Sequence, residues 1–391
     1  MKNFNEQLKI ALNFHKNNNI DKALKIYLEL YNYKKNDLNL LYLIGTSYIQ
    51  TKKPENSIYY LELALKIDGN HLQTLNNLGG AYFELNRFEE AVKIFEALLK
   101  INPNKNTKNN LANCYTALKH HEAALNLYKD IINNNSEDYV AFNNIGNVYK
   151  NLDNYNEAII NYKNSIKINN NYSLAYNNLG ELFSKIGQYE NALIIYKKLL
   201  KIEPNYKNIY GKVLSVKKSL CDWENFHNLK QKVINEIKNF KEVNPFTVLS
   251  LIDDPNLQKI CSETFINKKF PIQKMDEKKV IKLNKKPKIA YFSSDYKNHP
   301  ILHLCLDMFK NHNRSKFELF GFSLIKNKED EWNKDIKDYF DKFFYVHNKS
   351  DYEIAEFCRK IGIDIAIDLN GFTNGGRQGI FIEKCAPIQI N

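Results

Sequence analysis

The sequence predicts a helical solenoid followed by an α/β lobe built on a parallel sheet. Three observations lead there. A small residue returns every 33 or 34 positions through the first half of the chain. Past residue 288, strand-like and helix-like apolar patterns alternate. Only 14 glycines and 9 prolines are spread over 391 residues, too few for a turn-rich all-β fold. That length exceeds one ordinary domain and fits two or three. A composition of 43% hydrophobic and 26% charged residues supports packed cores rather than disorder.

The repeat is read on four positions. The small residue is Ala11, Gly45, Gly79, Ala112, Gly146 and Gly180. Three residues later stands an aromatic: Phe14, Tyr48, Tyr82, Tyr115, Tyr149, Phe183. Twelve residues after the first small position stands a second: Ala23, Ser57, Ala91, Ala124, Ala158, Ala192. Four further on comes a bulky apolar residue: Tyr27, Leu61, Phe95, Tyr128, Tyr162, Tyr196. Pro103 and Pro204 end two units. Small residues at fixed places let two antiparallel helices approach closely, and aromatics fill the space beside them. No such hairpin buries its apolar face alone, so neighbours must stack.

The pattern resembles the tetratricopeptide repeat, with six units over residues 4–205. The resemblance implies a solenoid whose concave face binds peptide. Asparagine stands two residues before the small position in four successive units: Asn77, Asn110, Asn144 and Asn178. The resemblance places that position in the groove. A carboxamide offers both a donor and an acceptor, so a ladder of them can pair with the backbone of an extended chain without reading its side chains. A generally Asn-rich composition is the competing explanation. The first two units carry Lys9 and Leu43 instead, so the groove is expected from the third unit onward.

Residues 206–285 read as mixed helix expected to cap the solenoid, ending in a charged connection over 275–288. Residues 286–391 form the third block. KIAYFSS, FELFGFSLI, FFYVHN and IDIAIDL are four expected strands. HPILHLCLDMFKNH, EDEWNKDIKDYFDK and DYEIAEFCRKIG are the helices between them. This alternation implies a parallel sheet with right-handed crossovers, in which ligands sit at the carboxyl ends of strands. Two polar clusters fall at such ends, SSDYKNHP after the first strand and DLNGFTNGGR after the fourth.

Those two clusters, with FELFGFSL, CAPIQ, and the upstream CDWENF and NPFTVLSLIDDP, resemble the O-GlcNAc transferase and SPINDLY-like family. The resemblance implies a Rossmann-like lobe, the N-terminal half of a GT-B catalytic region. It implies transfer of GlcNAc from UDP-GlcNAc to Ser or Thr of extended acceptor proteins by direct inverting displacement, or a fucosyl variant of the same reaction. UDP-GlcNAc is then a co-substrate, with no cofactor and no metal. The matching motif residues are Ser293, Ser294, Asp295, His299 and Pro300, then Asp368, Leu369, Asn370, Gly371, Thr373 and Arg377. The family places the histidine in the active site as a candidate base; a helix-capping or substrate-positioning histidine is the other reading. With His299, Asp368 is expected as a catalytic residue that orients the loop or contacts the site, a structural cap on the strand end being the alternative; Asn370, Gly371, Thr373 and Arg377 are expected at substrate, with loop packing as the alternative for Arg377. Phe372 can stack but cannot hydrogen-bond. His303, four residues after His299, is expected to be structural. Relatives continue past the APIQ segment into a donor-binding second lobe, which implies that this chain is a fragment. A peptide-binding scaffold without catalysis is the alternative function.

Other classes are disfavoured. The balance of 56 Lys+Arg against 44 Asp+Glu is positive but scattered among Asn, Asp and Glu, unlike a nucleic-acid footprint. No apolar run reaches the roughly 18–20 residues that span a bilayer. Six cysteines without a C-x-x-C pair argue against zinc and against a disulfide framework. A reducing cytoplasm is the expected location.

Overall fold

The computed structural model describes residues 4–270, 286–325, 336–373 and 375–391. The chain divides into two compact units, residues 1–206 and 207–391.

The first unit is six helical hairpins. They are α1 (Phe4–Lys16) and α2 (Ile20–Tyr31), α3 (Leu38–Gln50) and α4 (Pro54–Ile67), α5 (Leu72–Glu84) and α6 (Phe88–Ile101), α7 (Lys105–Ala117) and α8 (His121–Asn134), α9 (Tyr139–Asn151) and α10 (Tyr155–Ile168), and α11 (Ser173–Lys185) and α12 (Tyr189–Ile202). The small positions do what their spacing requires. A Cβ on Gly45 would come within 2.6 Å of Leu61, on Gly79 within 2.7 Å of Phe95, on Gly146 within 2.6 Å of Tyr162, and on Gly180 within 2.4 Å of Tyr196. In these four hairpins the bulky residue of the second helix therefore lies against the bare backbone of its own first helix. Where that residue is tyrosine its hydroxyl also needs a partner. Tyr128 donates to Asn113 Oδ1 at 2.6 Å and Tyr162 to Asn147 Oδ1 at 2.8 Å.

The turn inside each hairpin is the same. Asn18, Lys52, Asn86, Lys119, Asp153 and Gly187 all adopt left-handed backbone, with φ between 56° and 78°. First helices of successive hairpins touch one another along the series α3, α5, α7, α9, α11, whereas second helices make no comparable contact. The first helices thus form the inner layer of the stack.

The second unit opens with four helices, α13 (Ile209–Ser219), α14 (Phe226–Lys238), α15 (Pro245–Leu249) and α16 (Pro255–Lys269). Leu214, Val233, Ile237, Val243, Val248 and Cys261 form their core. Glu236 is buried beside it, and its Oε2 has no hydrogen-bond partner. Burial pushes this carboxyl above the usual range, opposed by Lys241. Between the ordinary and the raised value the folded chain holds more protons than the unfolded one, so stability falls as pH rises through that window. Glu236→Gln is expected to raise the melting temperature by a few degrees at about pH 7 and to change little near pH 4. Equal melting curves for both proteins at neutral pH would contradict this account.

A five-stranded parallel sheet follows, built from β1 (Lys288–Ser293), β2 (Glu318–Ser323), β3 (Lys342–Tyr345), β4 (Ile365–Asp368) and β5 (Ile388–Ile390). Helices α17 (Pro300–Asn311), α18 (Asp351–Ile361) and α19 (Gln378–Ile382) connect or flank the strands. Strand order is β3-β2-β1-β4-β5. Ala290, Phe292, Phe320 and Phe322 pack on one face with Ile354, Ala355 and Cys358 of α18. Ile289, Tyr291 and Leu319 pack on the other with Leu302 and Phe309 of α17. The sheet is buried on both sides, as its near-continuous apolar strands require. The four expected strands are present. The fifth, only three residues long, is an addition that its length hid from pattern reading. The connection expected over 275–288 lies largely outside the described residues, as does the first half of the helix expected over 329–342; in its second half Lys337–Tyr339 form one 3₁₀ turn and Lys342 already begins β3.

Candidate functional site

Chain order reverses between β1 and β4: β1 leads outward to β2, and β4 returns on its other side. The carboxyl ends of these two neighbours therefore flank the crevice where open α/β sheets bind ligands. Phe292 pairs in register with Asp368, so both polar motifs begin at the same level of the sheet.

Asn370 knits the two loops together. Its Oδ1 accepts from the Ser294 backbone N–H at 2.7 Å. Its Nδ2 donates to Ser294 Oγ at 2.9 Å, to Asp295 Oδ2 at 2.8 Å and, more weakly, to Thr373 Oγ1 at 3.4 Å. Asp368 Oδ1 accepts from the Asn370 backbone N–H at 2.9 Å, and the Thr373 hydroxyl donates to the Asn370 carbonyl at 2.8 Å. Ser294, Asp295, Asp368 and Asn370 are all buried. A buried network of this kind holds only when its members are satisfied. Asn370 and Thr373 thus hold the two loops together.

The glycines follow the same logic. Gly371 and Gly375 have φ of +55° and +85°. A Cβ on Gly375 would stand 2.6 Å from Ser294 Oγ, and one on Gly376 would stand 2.3 Å from the Gly371 carbonyl oxygen. Close packing of the loop on Ser294 accounts for Gly375, and close packing of the loop on itself for Gly376. Phe372 packs edge-on against Phe265 of α16, with ring centroids 5.9 Å apart.

His299 is the N-cap of α17, its Nδ1 accepting from the Ile301 N–H at 3.3 Å. This is the capping alternative seen in the sequence. It carries a chemical consequence. While Nδ1 accepts, a neutral ring holds its proton on Nε2, and Nε2 is a donor rather than a base. His303 pairs instead with Asn298 Oδ1 at 2.9 Å. Arg377 is turned toward the start of α18. It pairs with Asp351 at 2.5 Å and donates to the carbonyls of Lys349 at 2.8 Å and Val346 at 3.3 Å. The sequence alternative of an arginine packing the loop matches that placement; Asp351, unremarked in the sequence, is its partner.

In the first unit, Asn77, Asn110, Asn144 and Asn178 lie on the inner helices α5, α7, α9 and α11. They belong to a denser array than the sequence reading held. Asn110 Nδ2 donates to Asn76 Oδ1 at 3.3 Å, and Asn178 Nδ2 to Asn143 Oδ1 at 2.9 Å, each reaching back one hairpin. Asn77 reaches back to Thr46 at 2.9 Å, and Asn143 donates to Asn144 at 3.3 Å. The signal for this second row was present: the asparagine doublets 76–77, 109–110, 143–144 and 177–178 share the repeat spacing.

Among the described residues no cluster of three His, Cys, Asp or Glu side chains could hold a metal ion, and no helix is long and apolar enough to cross a membrane.

Comparison with known proteins adds the following. Residues 255–391 match the model described as Glycosyl transferase family 41. Residues 70–136 and 138–204 match a tetratricopeptide repeat model, and 16–98 match anaphase-promoting complex, cyclosome, subunit 3. The probable UDP-N-acetylglucosamine–peptide N-acetylglucosaminyltransferase SEC of Arabidopsis thaliana is 39% identical over 107 residues, 27% of this chain and 11% of that protein. The UDP-N-acetylglucosamine–peptide N-acetylglucosaminyltransferase of Caenorhabditis elegans is 34% identical over 104 residues, 26% of this chain and 9% of that protein. The matched stretches thus span about a tenth of those relatives. A solved tetratricopeptide repeat protein from Parabacteroides merdae superposes with a TM-score of 0.53 at 16% identity, covering 67% of this chain and 98% of its own, a likeness of fold. A solved O-GlcNAc transferase variant from Thermobaculum terrenum gives 0.46 at 17% identity, over 73% of this chain and 49% of that one.

Proposed function

We propose that this chain, which carries tetratricopeptide repeats and a glycosyltransferase family 41 segment, is the acceptor-binding and N-terminal catalytic portion of a protein O-GlcNAc transferase. The observation that carries the reading is the joining of the two motif loops by Asn370 at the switch point between β1 and β4, inside the segment that matches the family. The inner asparagine face holds acceptor polypeptide in extended form. UDP-GlcNAc is the donor: the Ser or Thr oxygen bonds to the anomeric carbon of GlcNAc as the bond to UDP breaks, UDP leaves with the electron pair, and the hydroxyl proton passes to the departing diphosphate or to water. His299 offers Nε2–H to a substrate oxygen while Nδ1 keeps its cap, so it stabilises charge rather than removing a proton. Asp368, Asn370 and Thr373 position the loop around it. The reaction belongs in the cytoplasm.

The test is transfer of radiolabelled GlcNAc by the product of the complete reading frame, with release of label by alkaline β-elimination as proof of Ser or Thr linkage. His299→Ala is expected to reduce kcat roughly 10²–10³-fold, the usual effect of losing one preorganised donor. Label taken only from GDP-fucose would assign the fucosyl variant instead. Peptide binding with no transfer from either donor would leave a peptide-binding scaffold and overturn the enzyme reading.

A further inference from the structure

A cavity of about 220 Å³ opens among α3, α5, α6 and α7 of the first unit, and Gly80, Phe83, Glu84, Phe95, Asn76 and Asn113 contribute to its lining. The repeat explains why it is there. The residue after each small position is Leu12, Thr46, Gly80, Asn113, Asn147 and Glu181, so only the third unit lacks a side chain at that place. Its neighbour Gly79 is required by the ring of Phe95, but a Cβ on Gly80 would meet nothing within 4 Å. A glycine inside a helix is unfavourable relative to alanine, and packing gives no reason for this one. What it does is leave the cavity open.

The chemistry of the walls is specific. Phe83 and Phe95 supply apolar surface, and the asparagines supply neutral carboxamides. Glu84 stands one helical turn after Gly80, is exposed, and has no ion-pair or hydrogen-bond partner among the described residues. Two carboxylates of α6 are engaged, Glu90 with Arg87 at 2.7 Å and Glu96 as acceptor from Tyr115 at 2.6 Å, and so is Glu62 of α4, which accepts from Tyr82 at 2.5 Å. One unpaired negative charge at an aromatic-walled recess, with no cation in its lining, complements a long aliphatic stem that ends in a cation.

We propose that this cavity is a specificity pocket that accepts one lysine or arginine side chain from an extended polypeptide lying along the asparagine face. The proposal rests on the peptide-binding reading of that face and adds a side-chain preference to a surface that otherwise reads only backbone. The stem lies on the half-buried Phe83 ring, in the space that Gly80 leaves open, and the cationic head pairs with Glu84.

The test uses the 391-residue chain and fluorescein-labelled peptides that differ at one position, carrying Lys, Gln or Glu, followed by fluorescence polarisation. The Lys peptide is expected to bind roughly tenfold tighter than the Gln peptide, the equivalent of one charge-assisted hydrogen bond, and the Glu peptide weaker than both. That preference should shrink with added salt. Glu84→Gln should bring the Lys and Gln peptides to equal affinity. Gly80→Met fills the recess on a helix that has room for it, and should lower the Lys peptide to the level of the Gln peptide while leaving the latter unchanged. Asn77→Ala combined with Asn110→Ala should weaken all three peptides together. Binding of every peptide without a Lys preference, or a preference untouched by both Glu84→Gln and Gly80→Met, overturns the pocket and leaves the groove standing. No binding by any peptide overturns the groove and the pocket with it.

Discussion

Replacing Gly79 with leucine is expected to destabilise the repeat unit by on the order of 3 kcal/mol, the upper range for overpacking a filled site. The Phe95 ring already lies 2.7 Å from where a Cβ would sit, and Phe95 is itself buried between helices. Two effects compete at this position. Leucine improves helix propensity over glycine by somewhat under about 1 kcal/mol. Displacing a buried ring costs more, because it also separates α5 from α6. Gly80, the next residue, isolates the first effect, since nothing stands within 4 Å of its Cβ. Gly80→Ala should therefore stabilise by roughly 1 kcal/mol. Urea unfolding followed by circular dichroism checks both. The curve for Gly79→Leu should also broaden, because each repeat is held mainly by its neighbours and a weak unit uncouples the stack. A Gly79→Leu protein as stable as the parent would show that the close approach of α5 and α6 is not what orders the hairpin.

Asn370→Asp should disable the strand-end site more thoroughly than any exposed substitution in the second unit. Asn370 Nδ2 is the donor that satisfies Asp295 Oδ2 at 2.8 Å and Ser294 Oγ at 2.9 Å. An aspartate has the same shape but no donor, and it sets a second carboxylate against Asp295 in a buried setting. Leaving buried partners unsatisfied costs about 1–3 kcal/mol each, more where one is charged. Two carboxylates in contact resist joint ionisation, so one of them takes up a proton more readily in the folded chain than in the unfolded one. The folded state then holds the extra proton, and the loss of stability should grow as pH rises above the ordinary carboxyl range. Asn370→Ala removes the same bonds without the repulsion and should lack that pH dependence. Thermal unfolding across pH, together with hydrogen exchange at residues 293–299 and 368–373, distinguishes the two. Unchanged exchange protection in both variants would mean that the loops are held by something other than this side chain.

The repeat was legible because its four positions are enforced by direct contact. Gly146 and Tyr162, or Gly180 and Tyr196, cannot vary independently when a Cβ would overlap the ring. The strands were legible because both faces of the sheet are buried, which leaves unbroken apolar runs such as KIAYFS. The site was legible as two motifs but not as one object. No spacing rule links Asn370 to Ser294 and Asp295 across 75 residues or more; only pairing of β1 with β4 brings them together. The partner of Arg377 was hidden for a related reason, since Asp351 belongs to a different element with no motif of its own. The recess at Gly80 escaped notice because one more glycine beside a repeat glycine carries no sequence signal. It stands out only when the structure separates Gly79, which packs, from Gly80, which does not.

The six hairpin turns share one left-handed residue at the same place, yet that residue is Asn, Lys, Asn, Lys, Asp and Gly in turn. Side-chain identity therefore does not set the joint; the stacking on either side does. Joints that are geometrically identical but chemically tolerant make the hairpins interchangeable modules. Whole units can be gained or lost in phase without disturbing those that remain, so the length of the inner asparagine face is one that the array can change one module at a time.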